Sequence, residues 1–301
     1  MLVLLAAYNG AAWIGQQIQT ILAQEDVEVR LFIRDDGSSD ATREEIARFL
    51  HDARVSLAPA SEPTGSAAQN FLALIRSHDA GGYPFIAFAD QDDIWYRDKL
   101  ARACRTIGQS QSAGYSSGTT ARWEDGRERY LAPSGPQNPS DFLFEGAGQG
   151  CTFVLSHDLY RRIREFICSH PELTRELHFH DWTMYSLARC WGLNWVFDPK
   201  PSMIYRQHSR NDTGARGSLQ GAAKRLALIR SGWYRRQLEN ISMLCLAAAP
   251  ENSRITLWHS VLTRESGWLR RIHLARFCLS GGRRRTVDNA VLILGSIAGW
   301  I

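Results

Sequence analysis

Three carboxylates stand within four positions of the chain, at Asp90, Asp92 and Asp93. They follow the apolar run Phe-Ile-Ala-Phe-Ala at residues 85–89, which is typical of a buried strand. Because carboxylates crowded at a strand end repel one another, we expect a positive charge to compensate them. Mg²⁺ or Mn²⁺ fits this role, since such ions take oxygen ligands and bridge carboxylates to substrate phosphates. A solvated acidic turn is the structural alternative.

Polar groups also follow two other predicted strands. Tyr8 comes directly after the apolar residues 3–7, and Asp35 and Asp36 come after residues 27–34. In parallel α/β sheets ligands bind beyond the carboxyl ends of the strands. We therefore expect these groups and the carboxylate cluster to line one crevice.

Asp181 is a further candidate, at the start of a helix predicted over residues 182–190. Asp in this place suits a helix N-cap as well as it suits a catalytic carboxylate, and both interpretations stay open. His178 and His180 have the spacing of one strand face, but without a third ligand nearby they make a poor zinc site.

The glycines at residues 146–150 do not form a dinucleotide-binding loop. That motif needs a strand before it and a helix after it, whereas a strand is predicted here at residues 152–155. Glycines in such a place allow a tight bend or the close approach of a ligand to the backbone.

The elements that must position these residues alternate between strands and helices. Strands are predicted at residues 3–7, 27–34, 54–57, 85–89 and 195–197, and helices at residues 11–22, 41–50, 66–78 and 157–168. This alternation predicts an α/β fold with a mostly parallel central sheet flanked by helices. The connection over residues 110–139 is rich in Gly, Ser, Thr and Pro, and we predict one hairpin in it, between residues 114–122 and 128–131.

Bulk composition limits the class of protein. A chain of 301 residues with 44% apolar and 22% charged residues is typical of one folded domain, or of a domain with an appendage. The six cysteines are scattered and form no C-x-x-C pair, which favours reduced thiols, as in the cytoplasm, over a metal cluster or disulfide framework. No run of apolar residues is long enough to predict a transmembrane helix.

Charge is divided unevenly along the chain. Residues 1–199 carry 18 Lys and Arg against 26 Asp and Glu, a balance of −8, and residues 200–301 carry 17 against 5, a balance of +12. Basic helices are predicted over residues 222–246 and 255–277, and the apolar residues 290–301 have the length of an interfacial helix. Such a region suits an anionic membrane, an acidic substrate or a nucleic acid, and a bundle that closes on itself is the structural alternative. Arginines with spacings that suit phosphate precede these helices: Arg206, Arg210 and Arg216.

Six motifs together resemble those of the family-two glycosyltransferases, enzymes with the A-type nucleotide-sugar fold, and most of all the bacterial rhamnosyltransferase-like group. The motifs are Ala-Ala-Tyr-Asn-Gly at residues 6–10, Arg-Asp-Asp-Gly-Ser-Ser-Asp at 34–40, Gly-Ser-Ala-Ala-Gln-Asn-Phe at 65–71, Asp-Gln-Asp-Asp-Ile-Trp at 90–95, His-Asp-Trp at 180–182 and Tyr-Arg-Gln-His at 205–208. They stand in the family's order and at about its spacing. The resemblance implies a glycosyltransferase domain in residues 1–215. The basic segment after Gly221 is outside the family's motifs, and its charge and helical pattern predict a basic helical extension in residues 216–301 that is a candidate for membrane contact.

The resemblance also implies a role for each matching residue. The implied site residues are Ala6, Tyr8, Asp36, Asn70, Asp90 and Gln91 for the nucleotide sugar, Asp92 and His208 for the metal, Asp181 for the general base, and Gly150, Cys151 and Trp182 for the acceptor. Within this set Tyr8 would stack on the base and Asp36 would accept a hydrogen bond from a base N–H. One departure is Gln69, which stands where the family often has Arg or Lys.

The activity implied by the resemblance is inverting, metal-dependent transfer of a sugar to a hydroxyl of a lipopolysaccharide or other cell-surface glycan. The subgroup implies dTDP-rhamnose as donor, Mg²⁺ or Mn²⁺ as cofactor, a lipid-linked or lipopolysaccharide acceptor, and a cytoplasmic enzyme in peripheral contact with the inner membrane.

Two other functions fit parts of the sequence less well. A sugar-phosphate nucleotidyltransferase needs a basic, glycine-rich loop after the first strand, and residues 8–12 contain no basic residue. A nucleic-acid-binding module would use the basic C-terminal part, but the aromatic residues there have the helical spacing of a core.

Overall fold

The structure of the chain is a computed structural model that describes residues 1–133, 135–208 and 229–301. Within these ranges nine strands form one sheet: β1 (Leu2–Ala7), β2 (Arg30–Asp35), β3 (Val55–Leu57), β4 (Phe85–Asp90), β5 (Ile94–Trp95), β6 (Gly114–Trp123), β7 (Glu128–Leu131), β8 (Val154–Ser156) and β9 (Trp195–Gln207). Their order is β3-β2-β1-β4-β8-β6-β9-β5, and β7 pairs with β6 outside this path.

Strand directions divide the sheet into two halves. Strands β3, β2, β1 and β4 are parallel to one another, as the strand–helix alternation predicts. In the other half β6 and β9 are parallel, while β8, β7 and β5 join as antiparallel strands. The α/β fold with a mostly parallel central sheet is thus confirmed, with antiparallel strands added beyond β4.

Helices cover both faces of the sheet. In the described ranges they are α1 (Ile14–Leu22), α2 (Thr42–Ala47), α3 (Ala67–Ser77), α4 (Lys99–Ser110), α5 (His157–Ser169), α6 (Pro171–Thr174), α7 (His180–Cys190), α8 (Trp233–Ala248), α9 (Ser253–Thr263), α10 (Gly267–Leu279) and α11 (Thr286–Ala298). Because side chains alternate along a strand, β1 serves two cores. Leu2 and Leu4 pack with α3 and α5, and Val3 and Leu5 pack with α1 and α4.

Most predicted elements are confirmed within a few residues, and two are wrong. The hairpin of β6 and β7 forms as predicted, with Arg122 opposite Glu128. The helix predicted over residues 255–277 is two helices, α9 and α10, because the chain breaks before Gly267, whose φ is 64°. The strand predicted at residues 195–197 continues to Gln207 along β6. The start of the helix predicted from residue 222 lies outside the described residues.

The C-terminal helices pack against the rest of the chain through the same core. Tyr234 of α8 donates a hydrogen bond to the Phe144 carbonyl at 2.7 Å, and Trp258 of α9 is fully buried. Arg284 forms a buried ion pair with Asp141 at 2.7 Å. In the described ranges, none of the helices combines the length and the apolar composition that crossing a bilayer requires. The division at residues 215 and 216 falls outside the described residues and stays a prediction.

Candidate active site

The carboxyl ends of β1, β2 and β4 meet at one edge of the sheet. In the parallel register Ala7 lies beside Asp35, and Ala6 lies beside Asp90. Polar groups that belong to separate motifs in the sequence are therefore direct neighbours. This edge of a parallel sheet is where ligands bind in α/β folds.

Gln91 joins the end of β1 to the loop after β4. Its Oε1 accepts a hydrogen bond from the Tyr8 amide at 2.7 Å, and its Nε2 donates to the Tyr8 carbonyl at 2.7 Å. A Cβ at Gly10 would overlap the Gln91 side chain, so a larger residue there would displace Gln91 from the Tyr8 backbone. The Tyr8 side chain remains 55% exposed, which leaves its ring available at the surface of the site.

Asp36 is buried at the end of β2 and holds the next loop. Its carboxylate accepts hydrogen bonds from Arg34 at 2.6 Å, from the Thr64 amide and hydroxyl at 2.8 Å each, and from the Gly65 amide at 3.1 Å. A carboxylate offers about four acceptor positions, so a nucleotide base would have to replace one of these donors. The contact of Asp36 with a base stays a prediction.

Arg34 connects Asp36 to α3. Its Nη1 also donates to Asn70 Oδ1 at 2.7 Å, and Asn70 Nδ2 donates to the Ala7 carbonyl at 3.2 Å. Asn70 is buried, so in this structure it supports the edge of the site from behind. Arg34 is not among the predicted site residues, although a cation directly before two acidic motif residues is a signal for it.

A cleft of about 440 Å³ opens between these loops. Its lining residues are Tyr8, Asn9, Trp13, Ser39, Asp40, Gln91, Asp92 and His208. A cleft of this size with convergent polar groups is typical of a small-molecule site. Four of the predicted donor and metal residues therefore share one cavity: Tyr8, Gln91, Asp92 and His208.

Asp92 and His208 meet in this cleft from opposite parts of the chain. His208 Nε2 lies 2.8 Å from Asp92 Oδ2. The imidazole stacks on the Trp13 ring, with 4.1 Å between centroids and 9° between planes. Trp13 thereby fixes the orientation of His208. Trp13 is not among the predicted site residues, because nothing local marks it as the neighbour of a histidine so far along the chain.

The Asp92 and His208 pair fits a divalent cation. Two ligands at right angles on an ion with bonds of about 2.1 Å lie about 3 Å apart, close to the separation of these two donor atoms. A carboxylate oxygen and an imidazole nitrogen suit Mn²⁺, and Mg²⁺ accepts the oxygen. Both groups line a cleft with room for further ligands from a substrate.

A buried cluster lies directly behind the cleft. Asp93 and Lys99 are both fully buried, and Lys99 Nζ donates to the Cys151 carbonyl at 2.9 Å and lies 4.3 Å from the centroid of the Trp95 ring. Burial, together with the charges of Asp92 and Asp90, raises the pKa of the Asp93 carboxyl. Burial lowers the pKa of Lys99 to about 8. Lys99 is not among the predicted site residues.

One more set of ligand atoms stands close together among the described residues. Single ligand atoms of Asp90, Asp93 and Cys151 all lie within 4.8 Å of one another. Burial raises the pKa of the Cys151 thiol, and a protonated thiol is a poor ligand for Mg²⁺ or Mn²⁺. The donor chemistry therefore favours Asp92 and His208, with Asp90 beside them. The set of ligand atoms found among the described residues includes neither His178 nor His180, so the structure adds no support for a zinc site at these histidines.

Asp181 lies in the first turn of α7 but is not its N-cap. The helix begins at His180 with Phe179 in the cap position, and Asp181 Oδ1 accepts a hydrogen bond from the Trp182 amide at 2.7 Å. The backbone of Gly150 packs against this turn. A Cβ at Gly150 would overlap His180 Nε2 and lie 3.2 Å from the Asp181 Cβ.

The turn at Gly150–Thr152 connects Asp181 to the carboxylate cluster. Gly150 touches the start of α7, and the next residue, Cys151, lies within 4.8 Å of Asp90. Asp181 and Asp90 thus stand on two sides of a single turn. His180 stacks on Phe71 at 4.0 Å, and burial lowers its pKa to about 3, so its ring is neutral in the folded protein.

The three residues predicted to bind the acceptor are all buried. Cys151 lies in the core behind the cleft, and Trp182 donates from Nε1 to the Phe142 carbonyl at 2.8 Å. Gly150 is buried against α7. In this structure they form the wall beside Asp181, and an acceptor would touch Cys151 or Trp182 only if that wall opened.

Gln69, the departure from the family pattern, has a structural role. Its Nε2 donates to the carbonyls of Thr174, Arg175 and Leu177 at 2.9, 3.0 and 3.1 Å. This side chain therefore ties α3 to the segment that leads into α7. Of the three predicted phosphate-binding arginines, Arg206 contacts Gln16, while Arg210 and Arg216 lie outside the described residues.

Comparison with known proteins identifies similar sequences. The model of the family described as Glycosyl transferase family 2 matches residues 2–162. A relative described as dTDP-rhamnosyl transferase RfbG, from Shigella flexneri, is 36% identical over 240 residues, which is 79% of this chain and 83% of the relative. The range 2–162 includes the carboxylate cluster and the cleft residues from Tyr8 to Asp92, and His208 lies beyond it.

Two solved structures have a similar fold. S. aureus TarS 1-349 in complex with UDP-GlcNAc matches with a TM-score of 0.59 at 12% identity, over 99% of this chain and 80% of that one. Mannosyltransferase PcManGT from Pyrobaculum calidifontis, in complex with GDP-Man and Mn²⁺, matches with a TM-score of 0.52 at 13% identity, over 99% and 85%. At these identities the likeness concerns the fold, and it confirms the architecture that the motifs imply.

Proposed function

The chain belongs to glycosyl transferase family 2 and is a nucleotide-sugar glycosyltransferase, and we propose that it transfers L-rhamnose from dTDP-rhamnose to a hydroxyl of a lipopolysaccharide or other cell-surface glycan. The observation that carries the choice of donor is the similarity to the Shigella flexneri dTDP-rhamnosyl transferase, which extends over most of both chains. The polar cleft at the strand ends supports a nucleotide-sugar site.

The donor binds along the edge formed by β1, β2 and β4. Ala6 and Tyr8 line the base and ribose, with the exposed Tyr8 ring as the stacking surface, while Asp36 and Asn70 hold that edge in place. Asp90 contacts the ribose or the sugar. Gln91 fixes the Tyr8 backbone and so sets the position of the ring.

Asp92 and His208 would hold Mg²⁺ or Mn²⁺ beside the diphosphate. Such an ion supplies a Lewis acid that stabilises negative charge on the leaving nucleoside diphosphate. The chain itself contributes two donor atoms 2.8 Å apart and the Trp13 ring that keeps the imidazole aligned.

Asp181 is the general base. It accepts the proton of the acceptor hydroxyl as that oxygen attacks the anomeric carbon from the side opposite the diphosphate. One base and one direct displacement invert the anomeric centre, so a β-linked dTDP-L-rhamnose donor gives an α-linked product. Gly150 leaves room for this carboxylate, because any larger residue would press on the first turn of α7.

The acceptor is a lipid-linked or lipopolysaccharide glycan, and the enzyme acts in the cytoplasm, in peripheral contact with the inner membrane. The glycosyltransferase domain comprises residues 1–215, and the helices after this domain provide the membrane contact. The net charge of +12 in residues 200–301 supports a negatively charged surface as their partner.

A thermal-shift and transfer experiment tests the donor. The full chain is incubated with Mn²⁺ and one of dTDP-rhamnose, UDP-glucose or GDP-mannose. We expect the largest rise in Tm, and sugar transfer, with dTDP-rhamnose. Equal or greater stabilisation and transfer with another donor would contradict rhamnose while leaving the family assignment intact.

Replacement of the proposed base tests the chemistry. Asp181→Asn should lower transfer by about 10²–10⁴-fold, the usual contribution of a general base, and should leave dTDP-rhamnose binding unchanged. Asp158→Asn, at an exposed position in the first turn of α5, is the matched control and should retain full activity. A fully active Asp181→Asn enzyme would remove this residue from its role.

A further inference from the structure

The last helix, α11, presents an apolar side to solvent. Val287, Val291, Leu294 and Ile297 are exposed by 72%, 43%, 65% and 47%. Their spacing of four, three and three residues places them on one face of the helix. Exposed helix faces in globular proteins are normally polar, and contiguous exposed apolar patches mark interaction sites.

Polar residues of α11 point into the protein, so the outward apolar face is fixed by contacts. Asn289 Nδ2 donates to the Cys278 carbonyl at 2.9 Å, and its Oδ1 accepts from the Arg283 amide at 3.1 Å. Ser296 is fully buried and donates to the Leu292 carbonyl at 2.8 Å. The Ser296 bond lies within α11, but a rotation of the helix that hid the apolar face would break the two Asn289 bonds and would expose Ser296.

Helix α10 extends the apolar surface at one end. The two helices are antiparallel, since Arg271 near the start of α10 donates to the Ile297 carbonyl near the end of α11 at 3.3 Å. Trp268 and Leu269 begin α10 and are both 64% exposed. Aromatic and aliphatic side chains are therefore both exposed to solvent on the same pair of helices.

Basic side chains accompany this surface. Residues 267–301 contain six arginines and a single acidic residue, Asp288. Arg283 and Arg284 turn inward to Glu145 and Asp141, but Arg276 and Arg285 are exposed. An apolar helix face with surrounding arginines is the pattern of a helix that lies in the interface of an anionic bilayer.

We propose that the helix pair of α10 and α11 docks on an anionic lipid bilayer, with Val287, Val291, Leu294 and Ile297 inserted among the lipid chains. The exposed arginines then lie at the level of the phosphate groups. The proposal deepens the membrane contact of the proposed function, because a lipid-linked acceptor is presented at that surface. Charge favours this occupant over a second copy of the chain, whose own helix pair carries the same positive charge.

Vesicle sedimentation with the full chain tests the proposal without donor or acceptor. Vesicles of phosphatidylcholine alone are compared with vesicles that also contain phosphatidylglycerol. We expect the wild-type chain to sediment at least tenfold more strongly with the anionic vesicles. The double substitution Val291→Glu and Leu294→Glu should reduce that binding at least tenfold, and Arg276→Gln with Arg285→Gln should weaken it several-fold.

Leu50→Glu is the matched control, because Leu50 is an exposed leucine remote from this helix pair in the sequence, just after α2. It should bind vesicles like the wild type, and circular dichroism should confirm that every variant is folded.

Equal binding by the double glutamate variant, or no binding by the wild type, would overturn the proposal. A wild-type dimer that the glutamates dissociate, without vesicle binding, would assign the surface to a second copy. Transfer of rhamnose to a water-soluble acceptor is measured separately, so failure of the docking and failure of the proposed function are distinguishable.

Discussion

Two adjoining regions of the molecule use similar residues in different ways. The cleft layer, defined by Trp13, Gln91, Asp92 and His208, lines an open cavity and is tied together by hydrogen bonding and ring stacking. The buried layer, defined by Asp93, Lys99 and Cys151, lies in the core directly behind it.

The neighbouring carboxylates Asp92 and Asp93 show what the difference means. Asp92 meets His208 at 2.8 Å in the cleft, whereas the Asp93 oxygens are buried and accept no hydrogen bond from the described residues under the usual distance limits. A charged, hydrated group suits ligand binding, and a desolvated one suits the support of its neighbours. Substitutions in the cleft layer should therefore affect turnover, and substitutions in the buried layer should affect stability and its dependence on pH.

The largest expected effect comes from the cleft layer. Asp92→Asn should lower kcat by about 10²–10³-fold, because it removes a proposed metal ligand and with it the stabilisation of charge on the leaving group. Its Tm should remain close to that of the wild type. EDTA should likewise stop turnover, and added Mn²⁺ or Mg²⁺ should restore it.

Asp93→Asn is the control for that substitution. It should retain activity within about tenfold, since no cleft contact is lost, and any cost should appear as a lower Tm. The comparison between the layers fails if Asp93→Asn is as inactive as Asp92→Asn, or if turnover by the wild type proceeds unchanged in EDTA.

The turn at Gly150–Thr152, which contains Cys151 of the buried layer, gives the next effect. Gly150→Ala places a methyl group against His180 and Asp181, so kcat should fall about 10–100-fold and stability by about 1–3 kcal/mol through overpacking. Gly108→Ala in α4 meets no atom within 4 Å and should raise stability by up to about 1 kcal/mol without loss of activity. Normal kinetics in Gly150→Ala would show that Gly150 does not position Asp181.

Lys99 tests the buried layer through pH. Lys99→Met leaves the Cys151 carbonyl without this donor, and the free energy of unfolding should fall by about 1–3 kcal/mol at pH 7. Burial lowers the pKa of Lys99 from 10.5 to about 8, so the unfolded chain binds the extra proton between these values. The stability contributed by this group in the wild type therefore rises with pH across that window.

Urea unfolding at pH 7, 8, 9 and 10 measures the difference between the wild type and Lys99→Met. The gap should widen as pH rises, because the variant lacks the titrating amine. A gap that narrows over this range would contradict the burial of a charged Lys99.

The smallest effect concerns His180. Burial lowers the pKa of this imidazole from 6.5 to about 3, so the unfolded chain binds more protons between these values and the wild type loses stability as pH falls. His180→Leu removes that loss, which should reach about 1–2 kcal/mol between pH 7 and pH 5. Urea midpoints at the two pH values measure it, and equal acid sensitivity of the two proteins would contradict the buried, neutral ring.

Local pattern was enough to predict much of the fold. The alternation of apolar strands with amphipathic helices predicts the parallel half of the sheet. Apolar residues recur every two residues along a half-buried strand and every 3.6 residues along an amphipathic helix, so both elements can be recognised locally. The break before Gly267 could not be predicted in this way, because the helical spacing of apolar residues continues across it in residues 255–277.

For the site, the order of residues along the chain was enough to predict which residue types end β1, β2 and β4 and therefore that a polar crevice exists there. It did not determine how adjacent residues divide between cleft and core. Long-range packing places Asp92 against His208 and buries Asp93 near Lys99. The physical reason is that solvation and charge at a side chain depend on packing partners far along the chain, and no local period encodes them.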